Sequence, residues 1–226
     1  MPFHNANFNS KPGLALQILI VFLPPVFVLQ SVFLFPAMIV SLALACTMLR
    51  WRSKTWKDVG LYKPVHIGRL LLITLTATVI LFPMSHAAIH MVKIMTASTP
   101  NLEAFKILHG NIAALTGGLV IAWIFGAFIE ELLFRGFLLN TLYDLFSQKN
   151  CPHWITWMAA VVVTAIFTGT GHFYQGIVGM IGTGLIAIGF SAIYLLNRRN
   201  LWSCILAHGL YDTVAFVLVY QGILLH

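Results

Sequence analysis

Long apolar stretches separated by short polar connections dominate this chain. Residues 14–49 contain no charged side chain, and the stretch is longer than the roughly 20 residues that one helix needs to cross a bilayer. Prolines lie within it, and proline breaks or kinks a helix. We therefore predict two tightly joined helices here, over about residues 14–33 and 35–50.

The same pattern continues to the end of the chain. Residues 92–110 are more polar and are predicted to form a loop or a short surface helix. Further membrane-spanning helices are predicted at about residues 70–91, 111–146, 154–168, 177–196 and 201–225. The sequence thus predicts an all-α, polytopic transmembrane helical bundle of about seven spans, within a range of six to eight.

Composition excludes a soluble protein. The chain is 59% hydrophobic and 8% charged, with a mean hydropathy of +0.90, whereas soluble domains contain about 25% charged residues. The net charge of +7 does not indicate a nucleic-acid partner, because the basic residues cluster between apolar stretches. This distribution is the one that sets membrane topology.

The basic residues predict the orientation of the helices. With seven spans and a cytoplasmic N-terminus, Lys93 and Lys106 are the basic residues of the outer connections. The inner segments contain the remaining basic residues outside the membrane: Lys11, Arg50, Arg52, Lys54, Lys57, Lys63, Arg69, Lys149, Arg198 and Arg199. This asymmetry follows the positive-inside rule.

Three charges lie together in the fourth predicted helix, within the segment Ala127–Gly136. Each costs about 2.5–3.5 kcal/mol at the middle of a bilayer by insertion scales. Glu131 and Arg135 are four residues apart and can pair on one helix face. Glu130 is rotated by about 100° from Glu131 and is left available. A structural ion pair between helices explains Glu131 and Arg135 but not Glu130.

Two later helices carry further polar groups. His172 ends an apolar helix in a glycine-rich stretch, where the backbone can open toward a cavity. Taken alone it could be an interfacial side chain. His208 and Asp212 are four residues apart on the last helix, and a buried Asp in a membrane needs a partner or a function. The structural alternative is an Asp–His hydrogen bond that fixes the helix.

Together, these groups fit hydrolysis inside a membrane. Water needs a base whose pKa is raised by burial, and the oxyanion needs hydrogen-bond donors or a metal. Glu with two His is also a zinc ligand set that leaves one position for water. The candidate metal ligands are Glu130, His172 and His208, with Zn²⁺ or another divalent cation as the cofactor. A metal-free mechanism stays open.

The ordered set of motifs resembles the CPBP family of intramembrane endopeptidases, which includes CAAX prenyl proteases and bacteriocin-processing enzymes. The similarity covers about residues 110–222. It is carried by Glu130-Glu131-x-x-x-Arg135, a Phe ahead of His172, and His208-x-x-x-Asp212. The resemblance implies a catalytic core over residues 110–226, with residues 1–109 supplying about three spans and their connections.

The resemblance also implies roles. Glu130 and His172 would activate water, and His208 with residue 212 would stabilise the oxyanion. Glu131 and Arg135 would hold the helix and the site. The expected substrate is a membrane-embedded or lipid-modified protein or peptide in the lipid bilayer. Similarity to bacterial members favours a prokaryotic cell membrane.

Two positions depart from the family pattern. Phe167 precedes His172 by five residues where four are usual, so that Thr168 takes the expected place. Asp212 stands where prenyl-protein members carry Asn, and an ionised Asp cannot donate to an oxyanion. It must be protonated, orient His208 or bind a metal. This favours a metal, or substrates other than prenylated CAAX tails.

Other interpretations remain. The constellation could serve folding alone, in a non-catalytic membrane scaffold or immunity protein. Intramembrane Glu, His and Asp also build proton relays, but the short chain and the lack of an inverted repeat argue against an ion- or proton-coupled transporter.

His86 and His90 have a metal-binding spacing without an evident third ligand. On seven straight helices, the depths of Glu130, His172 and His208 would also differ by about ten ångströms or more.

Overall fold

Seven helices build the part of the chain that the structure describes. The computed structural model describes residues 6–28 and 33–224. In chain order the helices are α1 (Lys11–Phe27), α2 (Leu34–Trp51), α3 (Ile67–Thr96), α4 (Ile112–Phe146), α5 (His153–Gly171), α6 (Gly176–Leu196) and α7 (Leu201–Tyr220). No strand occurs within those residues. All of these helices except α1 are long and apolar enough to cross a membrane. The predicted all-α polytopic bundle is confirmed.

Most predicted spans agree with the observed helices. The predicted end of the third span near residue 91 is wrong, because α3 continues to Thr96. Its extra turn carries a single charge, Lys93, and is otherwise apolar apart from Thr96. The first helix ends at Phe27, and the predicted continuation over residues 29–32 lies outside the described residues. The last helix ends at Tyr220, and residue 225 of its predicted range is likewise outside them.

Side chains just before three helices explain where those helices begin. The side-chain oxygens of Ser10, Asn111 and Asn200 accept hydrogen bonds from backbone N–H groups at 3.3, 3.1 and 2.9 Å. Such N-caps satisfy donors that a helix start leaves without partners. Two short 3₁₀ turns, Glu103–Leu108 and Phe173–Gln175, lie in the connections that follow α3 and α5.

Small residues let the central helices approach closely. α6 packs against α5 and α3, and α7 packs against α3 and the middle of α4. A Cβ at Gly169 of α5 would lie 2.6 Å from the carbonyl oxygen of Met180, and one at Gly189 of α6 would lie 2.6 Å from the Leu81 side chain. Neither position tolerates a larger side chain without movement, as is common in membrane helix packing.

One end of the bundle gathers the connections 52–66, 147–152 and 197–200, and we call it the basic end. Arg52 forms an ion pair with Asp144 at the end of α4, and Tyr62 donates a hydrogen bond to the Arg198 carbonyl at 2.8 Å. Burial lowers the pKa of the Arg52 guanidinium, and the Asp144 carboxylate opposes this shift. The basic end is therefore held together by polar contacts between its connections.

The opposite end, which we call the cavity end, contains the connection 97–111, the turn 172–175 and the end of α7. The Asn101 N–H donates to the Gln175 carbonyl at 2.8 Å. The Gly110 N–H donates to the Tyr220 carbonyl at 3.1 Å. These backbone bonds tie the connection after α3 to two different neighbours.

Candidate active site

The middle of α4 is π-helical. Two such segments, Ala122–Glu130 and Leu132–Leu138, follow each other with Glu131 between them. A π-helix uses i→i+5 hydrogen bonds, and π segments inside α-helices occur frequently at functional sites. Sequence reasoning expected a regular α-helix here. The two adjacent carboxylates nevertheless differ in environment, because Glu131 is 0% exposed whereas Glu130 is half-buried and lines a cavity.

Glu131 is the centre of a buried polar cluster. Its Oε1 accepts hydrogen bonds from Arg135 Nη1 at 3.0 Å and from His208 Nδ1 at 2.8 Å. Arg135 Nη2 donates to the Ala187 carbonyl at 3.0 Å. The predicted Glu131–Arg135 contact is present. The bond to His208 was not expected, and it means that Glu131 also positions a ring of the site.

The ring of His208 is held on two further sides. It stacks on Phe190, with centroids 4.7 Å apart. Its Nε2 lies 3.6 Å from Asp212 Oδ2, which is too long for a direct hydrogen bond. With Nδ1–H bonded to Glu131, Nε2 is the ring atom that remains for a substrate or a water.

Glycine at position 126 makes room beside this pair. A Cβ there would lie 3.1 Å from Asp212 Oδ2 and 4.0 Å from His208 Nε2. The wall of the site next to Asp212 is thus α4 backbone. On the facing helix, a Cβ at Gly209 would lie within 2.6 Å of the Trp123 ring, so α4 and α7 approach closely at this level.

His172 enters the site from the C-terminal cap of α5. Its Nδ1–H donates to the Thr168 carbonyl at 2.9 Å. In the neutral ring this leaves Nε2 as a hydrogen-bond acceptor. Phe167 faces away and packs edge-to-face on Phe22, with centroids 5.8 Å apart. The unusual five-residue spacing between Phe167 and His172 therefore affects packing against α1.

One cavity of about 780 Å³ collects these side chains. Of the predicted site residues, Glu130, Arg135, His172, His208 and Asp212 line it, and Glu131 lies buried behind them. The depth conflict expected from straight helices does not prevent this convergence. α4 is 35 residues long, which exceeds one crossing, so counting from its start does not give the depth of Glu130.

Sequence reasoning missed the α3 wall of the cavity. His86, His90 and Lys93 line it, as do Glu103 and Lys106 of the connection 97–111. The spacing of His86 and His90 was a usable signal. It was interpreted only as a metal pair lacking a third ligand, whereas the two residues share the helix face that borders the cavity.

The predicted metal ligands do not form a metal-binding group. Over residues 6–28 and 33–224, no three His, Cys, Asp or Glu side chains are arranged to hold a metal ion, and this includes the set Glu130, His172 and His208. His172 and His208 each use Nδ1 in a hydrogen bond to the protein.

Comparison with protein families agrees with the resemblance seen in the sequence. Residues 112–214 match the family model described as "Type II CAAX prenyl endopeptidase Rce1-like". The predicted relationship to the CPBP family is thereby confirmed for this part of the chain. The matched range contains all six predicted catalytic residues. No curated protein and no solved structure gives a significant match. The family supports a peptidase activity in a multi-pass membrane protein.

Proposed function

We propose that this chain is an intramembrane endopeptidase that uses Glu130 and His172 to activate water. The observation that carries the proposal is the convergence of Glu130, His172, His208 and Asp212, from three helices, on one cavity. Within the described residues, Glu130 makes no hydrogen bond or ion pair with the protein. A carboxylate that is exposed to a cavity and not used in structure is available as a base.

The proposed reaction begins with water between Glu130 and His172. Glu130 takes one proton from the water while the oxygen attacks the carbonyl carbon of the scissile peptide bond. A C–O bond forms and the carbonyl π electrons move to the oxygen. His172 Nε2 accepts a hydrogen bond from the same water and orients it, because its Nδ1–H is fixed on Thr168. General-base catalysis of this kind contributes about 10²–10⁴-fold.

His208 would stabilise the resulting oxyanion. The doubly protonated ring donates through Nε2, since Nδ1–H is bonded to Glu131. Glu131 and Asp212 lie on both sides of the ring, a charge arrangement that suits an imidazolium. When the intermediate collapses, the C–N bond breaks and protonated Glu130 gives its proton to the leaving amine. The products are a carboxylic acid and an amine, and the acid then loses the second water proton to solvent to become a carboxylate.

Arg135 and Asp212 act on His208 and not on the substrate in this proposal. Arg135 fixes Glu131, and Glu131 fixes the ring. The Asp212 carboxylate faces Nε2 of His208 and favours the protonated ring. This role explains why an Asp can stand where prenyl-protein members carry Asn. The substrate is proposed to be a segment of a membrane-associated protein that unwinds to expose its carbonyl.

Metal dependence is tested separately. Because no three ligands are arranged for a metal, we expect the activity of purified, reconstituted protein to persist after treatment with EDTA and 1,10-phenanthroline. Metal analysis of the same sample supplies the control. Loss of activity that Zn²⁺ restores would return Glu130, His172 and His208 to the role of ligands.

The central test uses mass spectrometry of protein termini in membranes from expressing cells. New termini are expected with the wild-type chain and are expected to be absent with Glu130→Gln and with His172→Ala. His66→Ala is the control, since His66 is an exposed residue at the basic end, and it should give the wild-type pattern. Equal amounts of inserted protein must be shown for every variant. Termini that persist in both site variants would refute the proposal.

The same experiment separates the non-catalytic alternative. A scaffold or immunity protein needs the shape of the site, and Glu130→Gln preserves shape and hydrogen bonding. Such a protein would keep its cellular phenotype in that variant and would generate no Glu130-dependent termini.

A further inference from the structure

The cavity extends from the site to one end of the bundle. Around the site it is also lined by side chains of α6. Beyond the site its lining comes from the second half of α3, from residues 99–103, 105 and 106, from Gln175, from the end of α7 and from residues 223 and 224. Asn101 is bonded to Gln175 across its border. The lining segments beyond the site belong to the cavity end, and no residue of the connections 52–66, 147–152 or 197–200 lines the cavity.

The charges of the two ends differ strongly. Among the described residues, the connection 97–111 contributes one basic residue, Lys106, which pairs with Glu103 at 2.6 Å. Lys93 lies in the last turns of α3. The remaining basic residues outside the helix centres lie at or near the basic end. Phe8 contacts Trp51, with ring centroids 5.0 Å apart, so the start of α1 with Lys11 also lies there.

The position of the cavity and the distribution of basic residues together indicate from which side of the membrane the cavity is reached. Basic connections stay on the cytoplasmic side of a membrane, so the basic end is cytoplasmic and the cavity end is extracytoplasmic. We infer that the cavity receives its substrate from the extracytoplasmic face, as a peptide segment exposed on that side of the membrane. This rests on the proposed function, and it narrows the substrate class to exported or outward-facing segments.

The aromatic residues agree with this orientation of the bundle. Trp51 ends α2, Trp56 lies in the connection 52–66 and Trp202 lies in the first turn of α7, all at the basic end. Tryptophan is enriched where a membrane meets water, so these residues mark an interface close to the basic loops. The cavity end lies one helix length away from it, which places the opening near the other interface.

Thiol labelling tests the orientation directly. In a Cys46→Ala, Cys151→Ser background, one cysteine is placed at Ala104→Cys on the connection 97–111, or at Asn150→Cys at the basic end. Both positions are exposed, and Ala104 does not line the cavity. The remaining Cys204 is buried. A membrane-impermeant maleimide applied to spheroplasts should label Ala104→Cys, and should label Asn150→Cys only after permeabilisation. The reverse pattern would overturn the inference.

The positions of the cleavage products provide the second test. Termini that depend on Glu130 should map to extracytoplasmic segments of membrane proteins or to exported proteins. If they map to cytoplasmic segments, the inference fails and the proposed peptidase stands. If no Glu130-dependent termini are found, the proposed function fails, and the labelling pattern still decides which face the cavity opens to.

Discussion

Two polar regions of α4 lie about ten residues apart, and they use their polar groups in opposite ways. Near the basic end, Asn140 is 5% exposed. Its side-chain N–H groups donate to the carbonyls of Arg135 and Gly136 and to Tyr194, each at 2.8 Å. Arg199 donates to its Oδ1 at 3.2 Å. This network satisfies the polar atoms of Asn140, and the side chains of Asn140, Tyr194 and Arg199 do not line the site cavity.

Near the cavity end, Glu130 instead faces an open space of about 780 Å³. Polar groups inside a membrane are expensive, so both regions need an explanation. The Asn140 network compensates its cost with internal hydrogen bonds. Glu130 has no such bond among the described residues, and a polar group kept without an internal partner indicates function. The difference predicts that a change in the Asn140 network lowers stability, whereas a change at Glu130 lowers activity.

The largest effect is expected for Glu130→Gln. Removing the proposed base should lower the rate of peptide-bond cleavage by about 10²–10⁴-fold. The thermal unfolding temperature should stay unchanged, because the described structure gives Glu130 no protein partner to lose. Turnover of a substrate identified from the terminus analysis, measured beside thermal unfolding in detergent, checks both. A large drop in unfolding temperature would show that Glu130 stabilises the fold. Glu130 would then not differ from the Asn140 network in this respect.

Arg135→Leu should mainly destabilise the protein. It removes the guanidinium that pairs with the fully buried Glu131 carboxylate, and breaking a buried ion pair by removing one partner costs about 3–5 kcal/mol. Unfolding in denaturant measures the loss. Adding Glu131→Gln to this variant should recover part of it, because the second change removes the buried carboxylate that lost this partner. Absence of any recovery would show that Arg135 acts through packing on Phe190 and not through its charge.

Asn140→Leu tests the closed network. It removes the N–H groups that donate to the buried Tyr194 hydroxyl and to the carbonyls of Arg135 and Gly136, and leaving a buried acceptor without its donor costs about 1–3 kcal/mol. We expect a lower unfolding temperature, with cleavage per folded molecule largely unchanged. Loss of activity in protein that remains folded would show that the network also controls the geometry of the site.

Much of this contrast could be predicted from the sequence, and part of it could not. Apolar run lengths placed the helices, and the i, i+4 spacing gave the pair Glu131 and Arg135, because both depend on local periodicity. The bond from His208 to Glu131 joins residues 77 positions apart, and no local pattern encodes it. The π-helical turns of α4 were also missed, since the sequence reasoning assumed the regular 3.6-residue period.

The cavity illustrates the same limit. Its α3 wall, with His86 and His90, depends on how α3 packs against α6 and α7. The role of Gly126 depends on a neighbour on α7. Both are properties of helix packing, for which a single sequence supplies only weak signals. The order of the motifs along the chain, in contrast, was sufficient to identify which helices meet at the site.

The smallest effect is expected for Gly126→Ala. The new methyl group would lie 3.1 Å from Asp212 Oδ2, so the carboxylate must shift slightly away from its place beside His208. We expect a several-fold fall in kcat/KM, equivalent to about 1 kcal/mol. Gly117→Ala is the matched control on the same helix, because nothing lies within 4 Å of its added Cβ.

Both alanine variants should gain up to about 1 kcal/mol of stability from helix propensity, which leaves activity as the distinguishing measurement. A fall of kcat/KM in the Gly126 variant alone would show that the position of Asp212 beside His208 matters to catalysis. Equal activity in the two variants would contradict this and show that the position of Asp212 at the cavity wall does not affect catalysis.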